Sequence, residues 1–301
     1  MSLGDVADLL ACPACAARDL LDRPLTLESA SLRCVEGHAY DVARQGHVNL
    51  LGRAVPRNAD GADMVAARER FLGSGAYDRV GAALADAARR ATDGVAAPAV
   101  LDVGAGPGWY LDRVLAGLAD GGRPGRGVAL DVSPVAARRA ARSPWRVGAV
   151  VADAWARLPV RAAAVDVALS VFAPRQPAEL ARVLTPGGAA LVVSPLPEHL
   201  AELREAWGLL DVEPGKQERL TTTFGAHLGL VEEKDVRYAV ALDPGTVSDL
   251  VAMCPNAFHQ GGPPARPEAP TEVEVAVRLS TWRRPGDGQP WPRAGSTPQA
   301  A

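Results

Sequence analysis

Three of the four cysteines in this 301-residue chain lie within its first 34 residues, and a histidine follows them closely. Together they form the pattern C-x2-C-x18-C-x3-H, from Cys12, Cys15, Cys34 and His38. Zinc prefers four tetrahedral sulfur and nitrogen ligands, and a C-x2-C turn presents two thiolates at one corner of such a site. Because four protein ligands leave no open position, we predict one structural zinc per chain. The alternative is a set of unpaired buried cysteines with an incidental histidine.

The segment around this pattern extends to about residue 56 and is too short to fold on a hydrophobic core alone. We therefore predict a zinc-binding module over residues 1–56, followed by a helical linker over residues 57–98. Apolar periodicity predicts two helices in that linker, over residues 60–72 and 77–91. His47 is too far along the chain to join the ligand set, and we expect it at the surface or at an interface.

From residue 99 onward, short apolar runs alternate with helical segments. The predicted strands cover residues 99–103, 128–130, 147–151, 165–171 and 189–193, and two later ones cover 236–242 and 273–279. Strand–helix alternation predicts a parallel sheet with helices on both faces, and the last two strands fit an antiparallel edge pair. The fold class is therefore α/β, with a doubly wound, Rossmann-like domain over residues 99–283. Residues 284–301, rich in Pro, Gly, Ser and Gln, are predicted to be a disordered tail.

The first predicted strand leads into a glycine loop, Val103-Gly104-Ala105-Gly106-Pro107-Gly108. Glycines at a strand–helix corner let the backbone adopt positive φ and pass closely beneath a ligand. The spacing is G-x-G-x-G, whereas dinucleotide-binding loops have G-x-G-x-x-G, and the lysine of a phosphate-binding P-loop is absent. The loop alone is a weak signal, because dinucleotide and methyl-donor folds share it.

Two acidic residues follow the next two predicted strands and make the prediction of the ligand more specific. Asp131 ends the second strand, where a carboxylate can accept hydrogen bonds from both ribose hydroxyls. Asp153 follows the third strand, a position beside an adenine amino group. Each aspartate alone is also compatible with a helix cap or an exposed loop charge. Together with the glycine loop, they favour S-adenosylmethionine over a nicotinamide cofactor.

The fourth predicted strand ends in Phe172-Ala-Pro-Arg175. Enzymes that methylate exocyclic base amines usually have an Asn- or Asp-Pro-Pro-aromatic tetrapeptide here, and this chain lacks it. A cysteine with a base partner is also missing from this position, which argues against a covalent cytosine-C5 mechanism.

At this point the chain resembles a known family, the zinc-containing 23S rRNA guanine-N1 methyltransferases, including the macrolide-resistance (tylosin-resistance) type of antibiotic producers. The resemblance extends from Cys12 to about Gln260 and is carried by segments more specific than the glycine loop. These are the zinc cluster with His38-Ala-Tyr-Asp-Val-Ala-Arg-Gln-Gly-His-Val-Asn-Leu-Leu51, Asp63-Met-Val-Ala-Ala-Arg68 with Phe71 and Tyr77, Phe172-Ala-Pro-Arg175, Pro197-Glu-His199-Leu-Ala-Glu-Leu203, and Met253-Cys-Pro255 with His259-Gln260.

The resemblance implies a function and several binding residues. The reaction would be methylation of ring nitrogen 1 of a guanine in a 23S rRNA loop near the peptide exit tunnel. Tyr77 and His199 match positions that touch the methyl donor, and Gly106 and Pro107 match its main-chain contacts. The segments at Phe172 and Met253 are closer to the resistance branch than to the housekeeping branch. His47 departs from the family, which commonly has a tyrosine there.

Basic residues offer candidate RNA-binding surfaces, although the formal net charge is −3. Eight arginines stand against two acidic residues between residues 123 and 161, namely Arg123, Arg126, Arg138, Arg139, Arg142, Arg146, Arg157 and Arg161. Arginine pairs bidentately with phosphate, so this set predicts an RNA-backbone contact; a solvated helix face is the alternative. Arg44, Arg53 and Arg57 form a second candidate patch beside the zinc module.

The resemblance implies 23S rRNA as partner, with residues 1–56 as the RNA-recognition module. We expect a cytoplasmic enzyme without membrane association, because the chain has neither an 18-residue apolar run nor a signal-peptide pattern. The sequence leaves open whether the chain forms a homodimer. The sequence identifies no general base. Two other functions remain open: a small-molecule methyltransferase whose zinc module is a substrate lid, and a non-enzymatic RNA-binding zinc protein. The intact glycine loop and both acidic residues argue against the second of these.

Overall fold

The computed structural model describes residues 3–207, 215–254 and 269–285. The strands are β1 (Thr26–Glu28), β2 (Ser31–Arg33), β3 (Ala39–Asp41), β4 (His47–Asn49), β5 (Ala99–Val103), β6 (Arg126–Asp131), β7 (Val147–Val151), β8 (Val165–Val171), β9 (Leu184–Pro195), β10 (Gly229–Leu242) and β11 (Thr271–Arg283). The helices are α1 (Pro13–Asp19), α2 (Ala62–Gly73), α3 (Asp78–Ala91), α4 (Trp109–Asp120), α5 (Pro134–Ala140), α6 (Pro177–Val183), α7 (Ala201–Trp207), α8 (Lys216–Gly225) and α9 (Pro244–Ala252). The predicted tail beyond residue 285, and Pro255, His259 and Gln260 of the family motifs, lie outside the described residues.

The main sheet has the strand order β10-β11-β9-β8-β5-β6-β7-β4. The strands from β9 to β4 in this order are parallel, whereas β11 is antiparallel to β9 and to β10. This topology confirms the predicted α/β fold with an antiparallel pair at one edge. The strand order reverses at β5, which has β6 on one side and β8 on the other. Open sheets of this kind bind ligands beyond the carboxyl ends of the strands at such a reversal.

Two apolar clusters cover the two faces of the sheet. Successive side chains of a strand point to opposite faces, so neighbours on β5 belong to different clusters. Val100 packs in one cluster with Leu84 of α3 and Leu111 of α4. Leu101 packs in the other with Leu10 and Leu25 of the N-terminal segment. The zinc-binding segment therefore covers one face of the main sheet.

The N-terminal segment also extends the sheet by one strand. β4 pairs in parallel with β7, and His47 stands opposite Ala149. The segment approaches the sheet so closely that a Cβ atom added at Gly148 would lie 2.2 Å from Cγ2 of Val6. The sequence pattern did not predict β4. His47 is consequently a half-buried strand residue rather than part of a freely exposed surface.

The apolar runs predicted the central strands well. The predictions for residues 99–103, 147–151 and 165–171 coincide with β5, β7 and β8, whereas β9, β10 and β11 are longer than predicted. Both helices of the predicted linker are present as α2 and α3. In the part of the chain that the structure describes, no helix has the length and apolar character needed to span a bilayer.

Candidate zinc centre and methyl-donor site

The structure brings the four predicted zinc ligands together. Cys12 caps the N-terminus of α1, Cys15 lies in its first turn, and Cys34 and His38 flank the turn between β2 and β3. Their ligand atoms all lie within 4.8 Å of one another. His38 Nδ1 is 3.6 Å from Sγ of Cys12 and 3.4 Å from Sγ of both Cys15 and Cys34. Sγ of Cys15 and Sγ of Cys34 are 3.8 Å apart.

These distances fit a tetrahedral zinc ion. With Zn–S bonds of about 2.3 Å and Zn–N bonds of about 2.0 Å, the edges of the tetrahedron measure roughly 3.8 Å between sulfurs and 3.5 Å between sulfur and nitrogen. The hydroxyl of Tyr40 accepts a hydrogen bond from the Ala14 N–H at 3.3 Å and lies 3.3 Å from Cys12 Sγ, to which it can donate. Hydrogen bonds of this kind orient metal ligands, and the spacing of the zinc ligands does not predict this role for Tyr40.

The glycine loop makes a tight corner at the carboxyl end of β5. Gly104 and Ala105 donate their N–H groups to the Leu130 carbonyl at 2.8 and 3.0 Å. Gly104 has φ +73°, and a Cβ atom there would lie 2.6 Å from Cβ of Ala173. Pro107 lies in the following turn, which the Gly108 N–H closes by donating to the Ala105 carbonyl at 2.9 Å. Glycine at position 104 is therefore required by both conformation and space.

Asp131 connects the end of β6 to this loop. Its Oδ2 accepts a hydrogen bond from the Gly106 N–H, and its Oδ1 accepts one from the Ser133 N–H, both at 2.8 Å. The carboxylate thus fixes the loop and the start of α5 while its remaining lone pairs stay available. Burial raises the pKa of Asp131. The position agrees with a ribose-binding role, and the ribose contact itself stays a prediction.

Asp153 lies two residues beyond β7, and its carboxylate already has partners. Oδ1 accepts a hydrogen bond from the Trp155 N–H at 2.9 Å, and Oδ2 is paired with the Arg53 guanidinium. Arg53, which was predicted to belong to a basic patch, also connects the zinc-binding segment to the predicted adenine position.

Tyr77 and His199 are in direct contact, as expected if both line one site. Their Oη and Nε2 atoms are 3.0 Å apart, and His199 Nδ1 accepts a hydrogen bond from the Ala276 N–H at 3.2 Å. Burial and the nearby Arg204 lower the pKa of His199 to about 4, so the ring is neutral at physiological pH. A neutral ring that accepts at Nδ1 carries its proton on Nε2, which therefore donates to Tyr77. The hydroxyl proton of Tyr77 is left to be donated elsewhere.

The eight arginines of the predicted RNA-binding stripe are divided among several contacts. Four of them pair with acidic side chains: Arg126 with Asp8, Arg139 with Glu69, Arg146 with Asp5, and Arg157 with Asp22. Three of these acids belong to the N-terminal segment. Three of the eight arginines therefore attach that segment to the rest of the chain, and RNA binding by this set stays a prediction.

Comparisons with known proteins agree with this arrangement. The family model "RlmA, N-terminal", a zinc ribbon, matches residues 10–53, and the model "Methyltransferase domain" matches residues 100–188. A 23S rRNA (guanine(748)-N(1))-methyltransferase of Streptomyces fradiae is 45% identical over 256 residues, covering 85% of this chain and 88% of the relative. A Micromonospora griseorubida protein assigned to the 23S rRNA (guanine-N(1)-)-methyltransferases is 43% identical and covers 93% of this chain and 98% of its own.

The chain belongs to the 23S rRNA (guanine-N1)-methyltransferase family. It is an S-adenosylmethionine-dependent methyltransferase with an N-terminal zinc ribbon, which confirms the predicted enzyme class and both cofactors. In this rRNA methyltransferase, five of the predicted donor-binding residues lie at the predicted edge of the sheet or in contact with it. They are Gly104, Gly106, Asp131, Tyr77 and His199. Which of them touches the donor stays a prediction.

Two features of this methyltransferase were not predicted from the sequence. Asp102, beneath the glycine loop, is 1% exposed, and its Oδ2 lacks a hydrogen-bond partner within the described residues. Burial and the charges of Asp131 and Asp112 raise its pKa to about 8. Phe172 has φ +53°, which a sequence pattern cannot reveal. Asp166 accepts hydrogen bonds from Ala99 N–H and Thr185 Oγ1 at the opposite edge of the sheet.

Proposed function

We propose that this enzyme methylates N1 of a guanine in a 23S rRNA loop near the peptide exit tunnel. The observation that carries the proposal is the 45% identity to the Streptomyces fradiae enzyme over 85% of this chain and 88% of that enzyme. The donor loop, Asp131 and the four zinc ligands support it, because each has the geometry that its predicted role needs. The cytoplasm, where ribosomes work, is the compartment that this function requires.

The methyl donor, when bound, supplies an electrophilic methyl group on a sulfonium ion. The glycine loop and Asp131 would hold its adenosine part, and the free hydroxyl proton of Tyr77 is available to its polar groups. Correct placement of the methyl group against the nucleophile is the main contribution of such a site. The chain must also expel water and hold the target base outside its stack.

Guanine N1 carries a proton at neutral pH, and this proton has to leave during the reaction. His199 is not its acceptor, because Nδ1 is occupied by the Ala276 N–H and Nε2 carries the proton donated to Tyr77. His199 therefore positions Tyr77 instead of acting as a base.

The structure argues against the small-molecule alternative with a zinc-bound lid. A lid must open, whereas this segment contributes β4 to the main sheet and buries Leu10, Leu25 and Leu32 in a cluster shared with β5 and β6. Removal of residues 1–56 would therefore expose one face of the sheet and would not give a clean test of RNA recognition.

The test is primer extension by reverse transcriptase on 23S rRNA after incubation with enzyme and donor. Methylation at guanine N1 blocks base pairing, so a new stop is expected at a single loop guanine. Gly104→Asp is the matched inactive variant, since any side chain there meets Ala173. Donor turnover on a small molecule without a stop on rRNA would refute the proposal. Light scattering of the same preparation would establish whether the homodimer forms.

A further inference from the structure

Phe172 combines an exposed aromatic ring with an unfavourable backbone conformation at the edge of the donor site. The residue directly follows β8, and its side chain is 39% exposed. Its φ of +53° lies in the left-handed region, which costs energy for a residue with a large side chain. Conformations of this kind persist where the surrounding structure holds them, and they are concentrated at functional sites.

The position of the ring is set by the donor loop and by the Tyr77–His199 pair. The next residue, Ala173, lies so close to Gly104 that a Cβ atom added to that glycine would be 2.6 Å from the Cβ atom of Ala173. The ring stacks on His199 with centroids 5.7 Å apart and planes inclined by 16°, and it lies 5.9 Å from the Tyr77 ring. Since His199 stacks, with an offset, against one face of the Phe172 ring, a ligand would meet the opposite face.

We propose that the open face of Phe172 stacks on the target guanine and holds it beside the methyl donor. This inference rests on the proposed function. Unpaired RNA bases are commonly held by stacking on aromatic side chains, and a base that leaves its own stack needs such a replacement. The neutral His199 behind the ring supports it without bringing a positive charge to the face that meets the base.

The proposal predicts a specific order of activities among variants. Stacking on one aromatic side chain changes base affinity by roughly 5- to 150-fold. Phe172→Ala and Phe172→Leu should therefore raise the KM for a 23S rRNA transcript, or lower kcat/KM, within that range. Phe172→Tyr and Phe172→Trp should retain most of the activity, because they keep the aromatic face. Val231→Ala, which trims a 57% exposed side chain on the edge strand β10, is the control and should behave as wild type.

Calorimetry with S-adenosylmethionine alone separates this role from a structural one. The expected result is a donor Kd within twofold of wild type for every variant at position 172. A large loss of donor affinity in Phe172→Leu would place the ring against the donor and overturn the proposal, as would full activity of Phe172→Ala. Phe172→Gly adds a check on folding, because glycine accepts the backbone conformation; it should stay folded and lose the same activity. If wild-type enzyme gives no stop on rRNA, the proposed function fails first.

Discussion

Replacement of Asp102 by asparagine tests the electrostatics beneath the glycine loop. The Asp102 side chain is 1% exposed, one of its oxygens has no partner in the described part of the chain, and Asp131 and Asp112 add negative charge nearby. Burial and these charges raise its pKa to about 8 in the folded protein. In the unfolded chain the carboxyl has an ordinary pKa of about 3.9.

The sign of the pH effect follows from these two values. Between about pH 4 and pH 8 the folded state keeps a proton on Asp102 that the unfolded state has lost, so stability falls as the pH rises. Each pH unit within this window costs about 1.4 kcal/mol, which amounts to roughly 3 kcal/mol between pH 5.5 and pH 8. Above pH 8 the contribution levels off. Asp102→Asn has the same shape and cannot ionise, so it should lack this part of the pH dependence.

Urea unfolding of both proteins at pH 5.5, 7 and 8.5, with zinc present, measures the effect. At each pH, the unfolding free energy of wild type is subtracted from that of the variant. The change of this difference with pH reports on Asp102, because the titration of other groups cancels in it. Asp102→Asn should gain stability relative to wild type by a few kcal/mol over this range. If the unfolding free energies of the two proteins change with pH in parallel, Asp102 is ionised or has a hydrogen-bond partner over the whole pH range, and the reasoning is refuted.

Three further outcomes are expected. Protein carrying Cys12→Ser and Cys15→Ser should lose its one zinc per chain by mass spectrometry, and stoichiometric metal in it would move the site elsewhere. Asp131→Ala should weaken donor binding by about 2–4 kcal/mol in calorimetry through two lost ribose hydrogen bonds, and an unchanged Kd would place the adenosine elsewhere. Expression in a susceptible host should raise the inhibitory concentration of a long-armed macrolide modestly, by no more than about ten- to a hundred-fold, because methylation removes one hydrogen-bond donor from the tunnel wall. Gly104→Asp should give no protection; equal protection by it would exclude methylation as the cause, and full methylation without protection would indicate a housekeeping enzyme.

The sequence predicted those features that depend on local patterns. The zinc ligands follow from their spacing, and β5, β7 and β8 follow from mostly apolar runs, because buried parallel strands need apolar residues on both faces. β4 was missed since its three residues, His47–Asn49, contain one apolar side chain and its partner β7 lies about a hundred residues further on. The conformation of Phe172 was missed because a positive φ at a non-glycine residue is imposed by tertiary contacts.

Contacts between residues that are far apart in the sequence also could not be predicted from the pattern alone. Tyr77 and His199 are 122 residues apart, and only the family resemblance placed both at the donor site. Asp153 was predicted correctly at the end of β7, yet its ion pair with Arg53 depends on where the zinc-binding segment folds back. The pattern also could not show that three of the eight arginines pair with Asp5, Asp8 and Asp22, because these acids lie more than a hundred residues earlier in the chain.

The zinc centre and the donor site are connected by a short physical path. Cys15 and Cys34 belong to the same apolar cluster as Leu101 and Val128, on the strands β5 and β6 that lead into the glycine loop and to Asp131. From β4 the chain continues to Arg53, which pairs with Asp153 beyond β7. A segment too short to fold alone therefore depends on its metal and also completes the sheet edge at which the donor is predicted to bind. Loss of zinc should consequently disturb donor binding as well as RNA recognition, because β4 and Arg53 belong to the segment that the metal helps to fold.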